Sequence, residues 1–476
     1  MVLTRLGALL CGVIAILAHA SILVRASSHD SELVLLVSLS RHGSRAPNPT
    51  AIKLCPNNYR NLKSYHVPPE QLTERGMQQL ETTGRHIRQI YVDQKKFLTP
   101  SFNGEDHKAF EAYFRADAAN RCGQSAISLG YGLYPDGTGP LGYAKQPIPV
   151  YMQLAENERD FTANGPCWGV MNHDLVEYSQ NQGKTLIEEH AQLLSQVGEV
   201  CGTSFYDNSG VENPVLAIKD VADMFLFDRD EGLPMTPGLT PTMVDNMAQL
   251  SFQQLIERLY STPQQRTVTI GGFPLLLLRN LNEGANPNRD PEKATKYYSY
   301  HGHRELLHGL GFMIGMKFHF DGLPSFNGST PLHPGTTLFF ELHRRKDDDG
   351  QLQHFLRLFV WSPQSQRQAI TLENCETDCP LETFNSFIQN HLAATGQWQQ
   401  LCNYHPTLEM EAFRFDTVRA PALRSIQHET TSASSYSTSP STLVWLLHSS
   451  ICAMLGAAAV VLVQRIRRRW SYQPIE

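Results

Sequence analysis

The apolar run Leu33-Val34-Leu35-Leu36-Val37-Ser38-Leu39 passes directly into Ser40-Arg41-His42-Gly43-Ser44-Arg45-Ala46-Pro47, and no other junction constrains the chain so tightly. A short apolar run bounded by polar and turn residues reads as a buried strand. This one hands over to a loop that carries a histidine between two arginines. The carboxyl end of a buried strand is where open α/β sheets bind their ligands. Two guanidiniums this close repel each other unless an anion or carboxylate lies between them. Phosphate suits the gap, because planar guanidinium forks take its oxygens in pairs. A histidine held neutral in such a cradle and aimed at phosphorus is a nucleophile. The bland alternative, a surface loop with two solvated arginines, fits the strand-end position poorly.

The pattern Arg-His-Gly-x-Arg-x-Pro at 41–47 resembles the signature of the histidine acid phosphatases. That resemblance extends over about 33–402. It implies an α/β fold, a histidine-phosphatase-like mixed sheet flanked by helices with a smaller helical insertion domain. It also implies phosphomonoester substrates, a phosphohistidine intermediate on His42 and no metal or other cofactor, since arginines supply the positive charge. Leu72-Thr73-Glu74-Arg75-Gly76-Met77 opens a stretch with apolar residues at helical spacing, capped by Thr73; it is similar to the helix that follows the family's catalytic loop. Ala112-Tyr113-Phe114-Arg115-Ala116-Asp117 resembles the family's second arginine block. It places Arg115 beside Arg41 and Arg45 as a third phosphate clamp. Arg121 is expected instead to pair with Asp117 four residues away on a helix.

A second chemical stretch is Tyr298-Ser299-Tyr300-His301-Gly302-His303-Arg304-Glu305. It is similar to the block in which the family carries Ser-x-His-Asp, where the histidine contacts the phosphoryl group and the aspartate protonates the leaving oxygen. His301 carries over; the acid does not, because position 302 is glycine. His303 is the first candidate for the missing proton donor, an imidazolium being a competent acid below ~6.5, and Glu305 is the second. General acid catalysis contributes about 10²–10⁴-fold, so a slow phosphatase is the expectation. The rival reading is a catalytically impaired pseudophosphatase serving as a membrane receptor or trafficking glycoprotein, and Gly302 is its support.

The remaining sequence gives the organisation. Residues 1–20 read as a secretory signal peptide: Arg5, then the apolar Leu6 to Leu17, then Ala18-His19-Ala20. The α/β catalytic domain is expected over 33–142 and 285–426, interrupted by the mostly helical insertion 143–284. Glu156, Glu158, Arg159 and Asp160 form a charge run in that insertion, which ordinarily marks a solvated face. A Ser/Thr-rich stalk follows at 427–442. The uncharged stretch 443–463 is long enough to span a hydrocarbon core of ~30 Å. Arg465, Arg467, Arg468 and Arg469 come next, which puts the tail 464–476 in the cytosol and everything before the span in the lumen or outside. The expectation is a single-pass type I protein of the endosome or lysosome membrane or the cell surface. In the tail, Tyr472-Gln473-Pro474-Ile475 has the form read by endocytic adaptors.

A net charge of −6 with no basic cluster argues against nucleic acid as a partner. Nine cysteines, with Cys11 in the signal and Cys452 in the span, fit an oxidising compartment. Cys167 with Cys402, and Cys375 with Cys379, resemble disulfides of the family; the odd count leaves one thiol over. Asn327-Gly328-Ser329 is a glycosylation sequon. The homodimer common in the family is a further expectation, with no interface readable in the sequence.

Overall fold

The computed structural model describes residues 31–404 apart from 103–110, 141–142, 156, 162–166, 208–212 and 291–293. The signal peptide, stalk, span and adaptor motif therefore lie outside the described residues. No helix among the described residues is long and apolar enough to cross a membrane.

The first strand, β1 (Glu32–Arg41), is buried along the whole of its carboxyl-terminal half. Its alternation explains the uninterrupted apolar run. Leu35, Val37 and Leu39 enter one core while Leu36 enters another on the opposite face, as in a sheet covered on both sides. The other strands are β2 (Ala112–Ala116), β3 (Val150–Met152), β4 (Tyr297–Gly302), β5 (Thr337–Lys346), β6 (Leu352–Trp361), β7 (Gln368–Ile370) and β8 (Cys379–Pro380). They form one eight-stranded mixed sheet in the order β3-β2-β4-β1-β5-β6-β7, with β8 beside β6. On one side of β1 the pairing is parallel, through β4, β2 and β3. On the other side it is antiparallel, through β5, β6 and β7. Asp347 to Gly350 make the β5–β6 hairpin turn that their sequence predicts.

Helices α1 (Glu74–Ile87) and α2 (Asn120–Leu133) cover one face, with Leu80, Ile87, Leu129 and Leu133 packed on Leu36, Phe114, Tyr297 and Phe339. Among the described residues seven further helices lie between β3 and β4: α3 (Trp168–Gln180), α4 (Gln182–Glu189), α5 (Ala191–Cys201), α6 (Pro214–Asp230), α7 (Pro241–Tyr260), α8 (Pro263–Ile270) and α9 (Phe273–Gly284). Part of this helical stretch builds a core of its own around Leu194, Val197, Ile218, Val221 and Met247. The segment that begins at 143 also gives the sheet its edge strand β3, so it is not helical throughout. Helices α10 (Arg304–Ile314) and α11 (Leu381–Thr395) close the second face with α9.

Cys167–Cys402 and Cys375–Cys379 are disulfides, as the resemblance implied, and Cys55 pairs with Cys201. The last bond ties the loop after β1 to the helical segment across a sequence separation of 146, where loop closure is worth on the order of 5 kcal/mol in the chain-entropy account. The thiol left over is Cys122, which is buried.

Two glycines let the arginine loop lie directly on α1. A Cβ on Gly43 would stand 2.3 Å from the Gly76 carbonyl oxygen, and one on Gly76 would stand 2.0 Å from the Ser44 carbonyl oxygen. Thr73 caps α1 by accepting from the Gly76 amide and donates a second bond to Ser44 O. The loop is thus fixed by backbone contact, which leaves its side chains free to face elsewhere.

Candidate active site

Three parallel strands end together. In the register of the sheet Arg41 pairs with Gly302 and Ala116 with His301, so the residues that follow, His42, Asp117 and His303, emerge at one edge. Backbone bonds hold the three exits in line: the His42 amide donates to Gly302 O at 3.0 Å and the Asp117 amide to His301 O at 2.9 Å. Because β4 lies between β1 and β2, chain connections leave this edge in different directions and open a crevice, the place where doubly wound sheets bind ligands. Helices α2 and α10 start here, with Ala119 and His303 as their N-caps, and both aim their positive ends at the crevice.

Arg41, Arg45 and Arg121 line the resulting cavity of about 520 Å³, together with His42, Asp117 and His303. Arg41 donates Nη1 to Leu332 O, and Arg45 donates Nη1 to Ala46 O at 2.9 Å while its guanidinium lies 4.7 Å from the Phe227 ring centre. The Nε groups of Arg41, Arg45 and Arg121 are buried and have no partner among the described residues. Buried donors in native proteins are almost always satisfied, and three guanidiniums that line one cavity with a donor still unpartnered fit a bound oxyanion. Burial, with Arg304 next in weight, pulls Arg41 down to about 10; crowding of like charge at that level is relieved by an anion. Two other cations at the cavity, Arg304 and Lys219, are already engaged, while Arg258 also lines it with its Nε buried and without a partner among the described residues. Arg304 forms a two-pronged pair with Asp223 at 2.9 and 3.1 Å, and Lys219 reaches the same carboxylate at 3.1 Å. Burial alone would raise Asp223, but Arg304 and Lys219 hold it well below the usual carboxylate range.

His42 donates its Nδ1 hydrogen to the Gly43 carbonyl at 2.8 Å, which assigns the tautomer and leaves the Nε2 lone pair available. Burial, followed by the neighbouring charges of Arg121 and His303, pushes its pKa well below that of a free imidazole. That shift favours the neutral imidazole, the state a nucleophile needs.

The imidazole of His303 packs edge-on to His42 with ring centres 5.3 Å apart. Its Nδ1 donates to Asp117 Oδ2 at 2.7 Å, and its Nε2 accepts from Arg121 Nη2 at 2.7 Å. Burial opposes charge on this ring, but the Cys122 sulfur and the Asp117 carboxylate outweigh it and push His303 up to about 10. Asp117 keeps a proton on Nδ1 in either state, and a second proton at Nε2 has to replace the bond from Arg121. The predicted Arg121–Asp117 pair is thus not formed, since each partner is spent on His303. Asp117, which the sequence reading left without a chemical role, is the group that orients the ring.

Arg115 is not in the cradle and does not line the cavity. It sits one residue before the end of β2, on the opposite face from Phe114 and Ala116, and binds Asp160 at 2.8 Å and Glu158 at 3.0 Å over the ring of Phe161. The arginine that does reach the cavity is Arg121, in the first turn of α2. In the charge run, Glu158 and Arg159 are correspondingly not solvated: Glu158 is fully buried and Arg159 is 9% exposed, while Glu156 lies outside the described residues. Burial raises Glu158 to about 7 even against Arg115.

His301 is fully buried, shares a hydrogen bond of 2.9 Å with Ser299 Oγ through Nε2, and does not line the cavity. Burial drops it to about 3, so it stays neutral in acid, and the phosphoryl contact that the resemblance implies for it is not one its place in the cavity provides. Glu305, the second candidate acid, faces Arg304 and His303, which bring it down to about 2 against the effect of burial. It is an anion at any pH where the protein would work and has no proton to give. At Gly302 an added Cβ would meet Leu306 Cδ2 at 3.5 Å and Phe161 O at 3.8 Å, ordinary contacts.

Beyond the cradle the cavity changes character. Ala155, Phe161, Trp168, Met171, Leu175 and Leu216 form an apolar outer wall, and Trp168 is 57% exposed at its rim.

Residues 32–360 match the Histidine phosphatase superfamily (branch 2). The chain is 43% identical over 355 residues to "Putative acid phosphatase 10" of Caenorhabditis elegans, covering 66% of this chain and 81% of that protein. It is 23% identical over 336 residues to lysophosphatidic acid phosphatase type 6 of Bos taurus, covering 70% and 69% of the two chains. The fold is similar to that of the phytase from Citrobacter braakii, with a TM-score of 0.55 at 18% identity over 76% of this chain and 98% of that one. A Klebsiella phytase gives a TM-score of 0.56 at 16% identity, over 80% and 99%.

Proposed function

The chain belongs to the histidine phosphatase superfamily (branch 2), and on that premise we propose that it is an acid phosphatase working through a phosphohistidine on His42. The observation that carries the reading is the set of three buried, unpartnered Nε groups around a neutral histidine. In this reaction Arg41, Arg45 and Arg121 take the non-bridging oxygens of a phosphate monoester. The Nε2 lone pair of His42 forms the bond to phosphorus as the ester oxygen leaves. Donors aimed at transition-state charge are each worth ~2.7–4 kcal/mol, so the cradle supplies the larger share of the acceleration.

Protonation of the leaving oxygen falls to His303. When the phosphate draws Arg121 to itself, Nε2 of His303 is released from its 2.7 Å contact with that guanidinium and takes up a proton, with Asp117 holding the ring in place. The proton passes to the departing alkoxide. The same nitrogen then removes a proton from the water that attacks the phosphohistidine, which returns His42 and releases phosphate. The pair Asp117–His303 thereby stands in for the acid missing at Gly302, and the pseudophosphatase reading loses its one support.

The apolar outer wall favours monoesters of amphiphilic alcohols. Lysophosphatidic acid, named in one group of relatives, is such an ester and is the first substrate to try. Three disulfides agree with an oxidising lumen. The signal at 1–20 and the span at 443–463 make the chain a type I membrane protein with its catalytic face toward an acidic endosomal or lysosomal interior. The test is phosphate release near pH 5 from an aryl phosphate and from lysophosphatidic acid, with His42→Ala as control. Release that depends on His42 is expected; equal release by both proteins would overturn the reading.

A further inference from the structure

We propose that Asp117, Cys122 and His303 form a binding site for a thiophilic divalent cation, zinc above all, and that its occupancy switches the phosphatase off by taking its proton donor. The switch rests on the role given to His303 above; the site itself rests on geometry alone. The three side chains come from three elements, the exit of β2, the first turn of α2 and the exit of β4. Their carboxylate, thiol and imidazole ligand atoms all lie within 4.8 Å of one another. The Cys122 sulfur is 4.0 Å from Nδ1 of His303 and 3.9 Å from Nε2, and Nδ1 is 2.7 Å from Asp117 Oδ2.

A tetrahedral zinc with bonds of about 2.0–2.3 Å sets its ligands roughly 3.3–3.8 Å apart. The sulfur therefore has to close in by a few tenths of an ångström and the carboxylate to open by somewhat more, shifts within side-chain reach. A water from the cavity completes the fourth position, since Asp117 and His303 both line it. Sulfur with imidazole selects zinc over magnesium or calcium, which prefer oxygen. Cys122 has no other employment: it is fully buried and is the one cysteine among the described residues outside a disulfide.

Binding balances as follows. The Cys122 thiol gives a proton to solvent, the proton on His303 Nδ1 passes to Nε2, which gives up its bond from Arg121, and thiolate and carboxylate together offset the charge of the cation. Arg121, His42, Glu305 and Glu158 are charged or titratable groups facing the trio, and its net charge rises by one unit on binding, a change their fields register. With Nδ1 on the metal, His303 can no longer carry two protons, and protonation of the leaving group stops.

The experiment is a cobalt titration of the purified full chain, followed by zinc inhibition of its phosphatase activity. Cobalt on this trio gives a thiolate-to-cobalt charge-transfer band at one equivalent, lost in Cys122→Ser. The exposed group His173, Asp174 and Glu177 on α3 offers no sulfur and gives no such band, so adventitious uptake there is told apart. Zinc is expected to erase the band and to inhibit turnover, with the inhibitory concentration raised at least about tenfold in Cys122→Ser, inhibition of each protein being read against its own zinc-free rate. Absence of the band in the wild-type protein overturns the site, and this needs no variant to fold. A band without zinc inhibition, or inhibition undiminished in Cys122→Ser, overturns the switch. A band in a protein that hydrolyses no phosphomonoester leaves the site standing and refutes the phosphatase reading instead.

Discussion

Exchanging the roles of two arginines six positions apart gives a sharp test of the site. Arg121→Met removes a guanidinium that lines the cavity and whose one carboxylate ion pair among the described residues is with Glu70 at 4.0 Å, itself 44% exposed. Little stability is at stake in so loose and wet a pair. One phosphate clamp is lost, and at ~2.7–4 kcal/mol per donor kcat/KM falls by about 10²–10³. Arg115→Met does the reverse. It leaves Glu158, whose side chain is 0% exposed, and Asp160, at 13%, without their cation. Breaking a buried pair from one side costs ~3–5 kcal/mol, enough to lower the melting temperature by several degrees. Turnover, measured well below either melting transition, changes no more than a few-fold. Steady-state kinetics on an aryl phosphate at pH 5 and a calorimetric scan of each variant at pH 8, where Glu158 is ionised, decide the matter. The reasoning is refuted if Arg115→Met loses activity by a hundredfold while Arg121→Met keeps it.

Other outcomes follow from the proton donor and from the buried carboxylate. His303→Gln should slow hydrolysis of an alkyl phosphate by about 10²-fold or more and that of an aryl phosphate far less, because a phenolate leaves without help; equal effects on both substrates would remove His303 from the donor role. Gly302→Asp, for which the site has room, should raise the rate on alkyl phosphates and move its dependence on His303 toward zero, as read from the double variant Gly302→Asp/His303→Gln. Glu158, lifted from 4.5 to about 7, binds its proton more tightly folded than unfolded. Its contribution is therefore complete below about 4.5 and is lost as pH rises through about 7. The melting temperature should fall between pH 5 and 7.5, and Glu158→Gln should flatten that fall; an unchanged slope in the variant would show that another group sets it.

The parts of the site that sequence made legible are those where local pattern and position coincide. β1 is one apolar run followed at once by its loop, so strand and exit are legible together, and Arg41, His42 and Arg45 line one cavity at that exit. The third arginine was not legible in the same way. Arg115 and Arg121 flank a strand end, and which of them meets the cavity depends on strand parity at Ala116 and on α2 beginning at Asn120. A shift of one residue at either boundary would exchange them. The charge run around Glu158 misled for a different reason. Charge usually marks solvent, but here Arg115 neutralises it from the sheet, and the Gly272 amide bonds Arg159 O at 2.8 Å to press the segment inward. Asp117 was unreadable because its partner, His303, is remote in sequence and is brought to it only by β4 lying between β1 and β2. The mixed sheet is what the resemblance at 41–47 implies, whereas the pairing of Cys55 with Cys201 depends on the packing of the helical segment on the loop after β1.

The central claim is that His42 carries the phosphoryl group. Single-turnover mixing of the purified protein with a substrate labelled at phosphorus, followed by denaturing quench and peptide mapping, tests it directly. The account predicts label on the peptide bearing His42, stable in alkali and lost in acid, and none in His42→Ala. Full hydrolysis with no protein-bound label at any time point, or label that persists in His42→Ala, would contradict it.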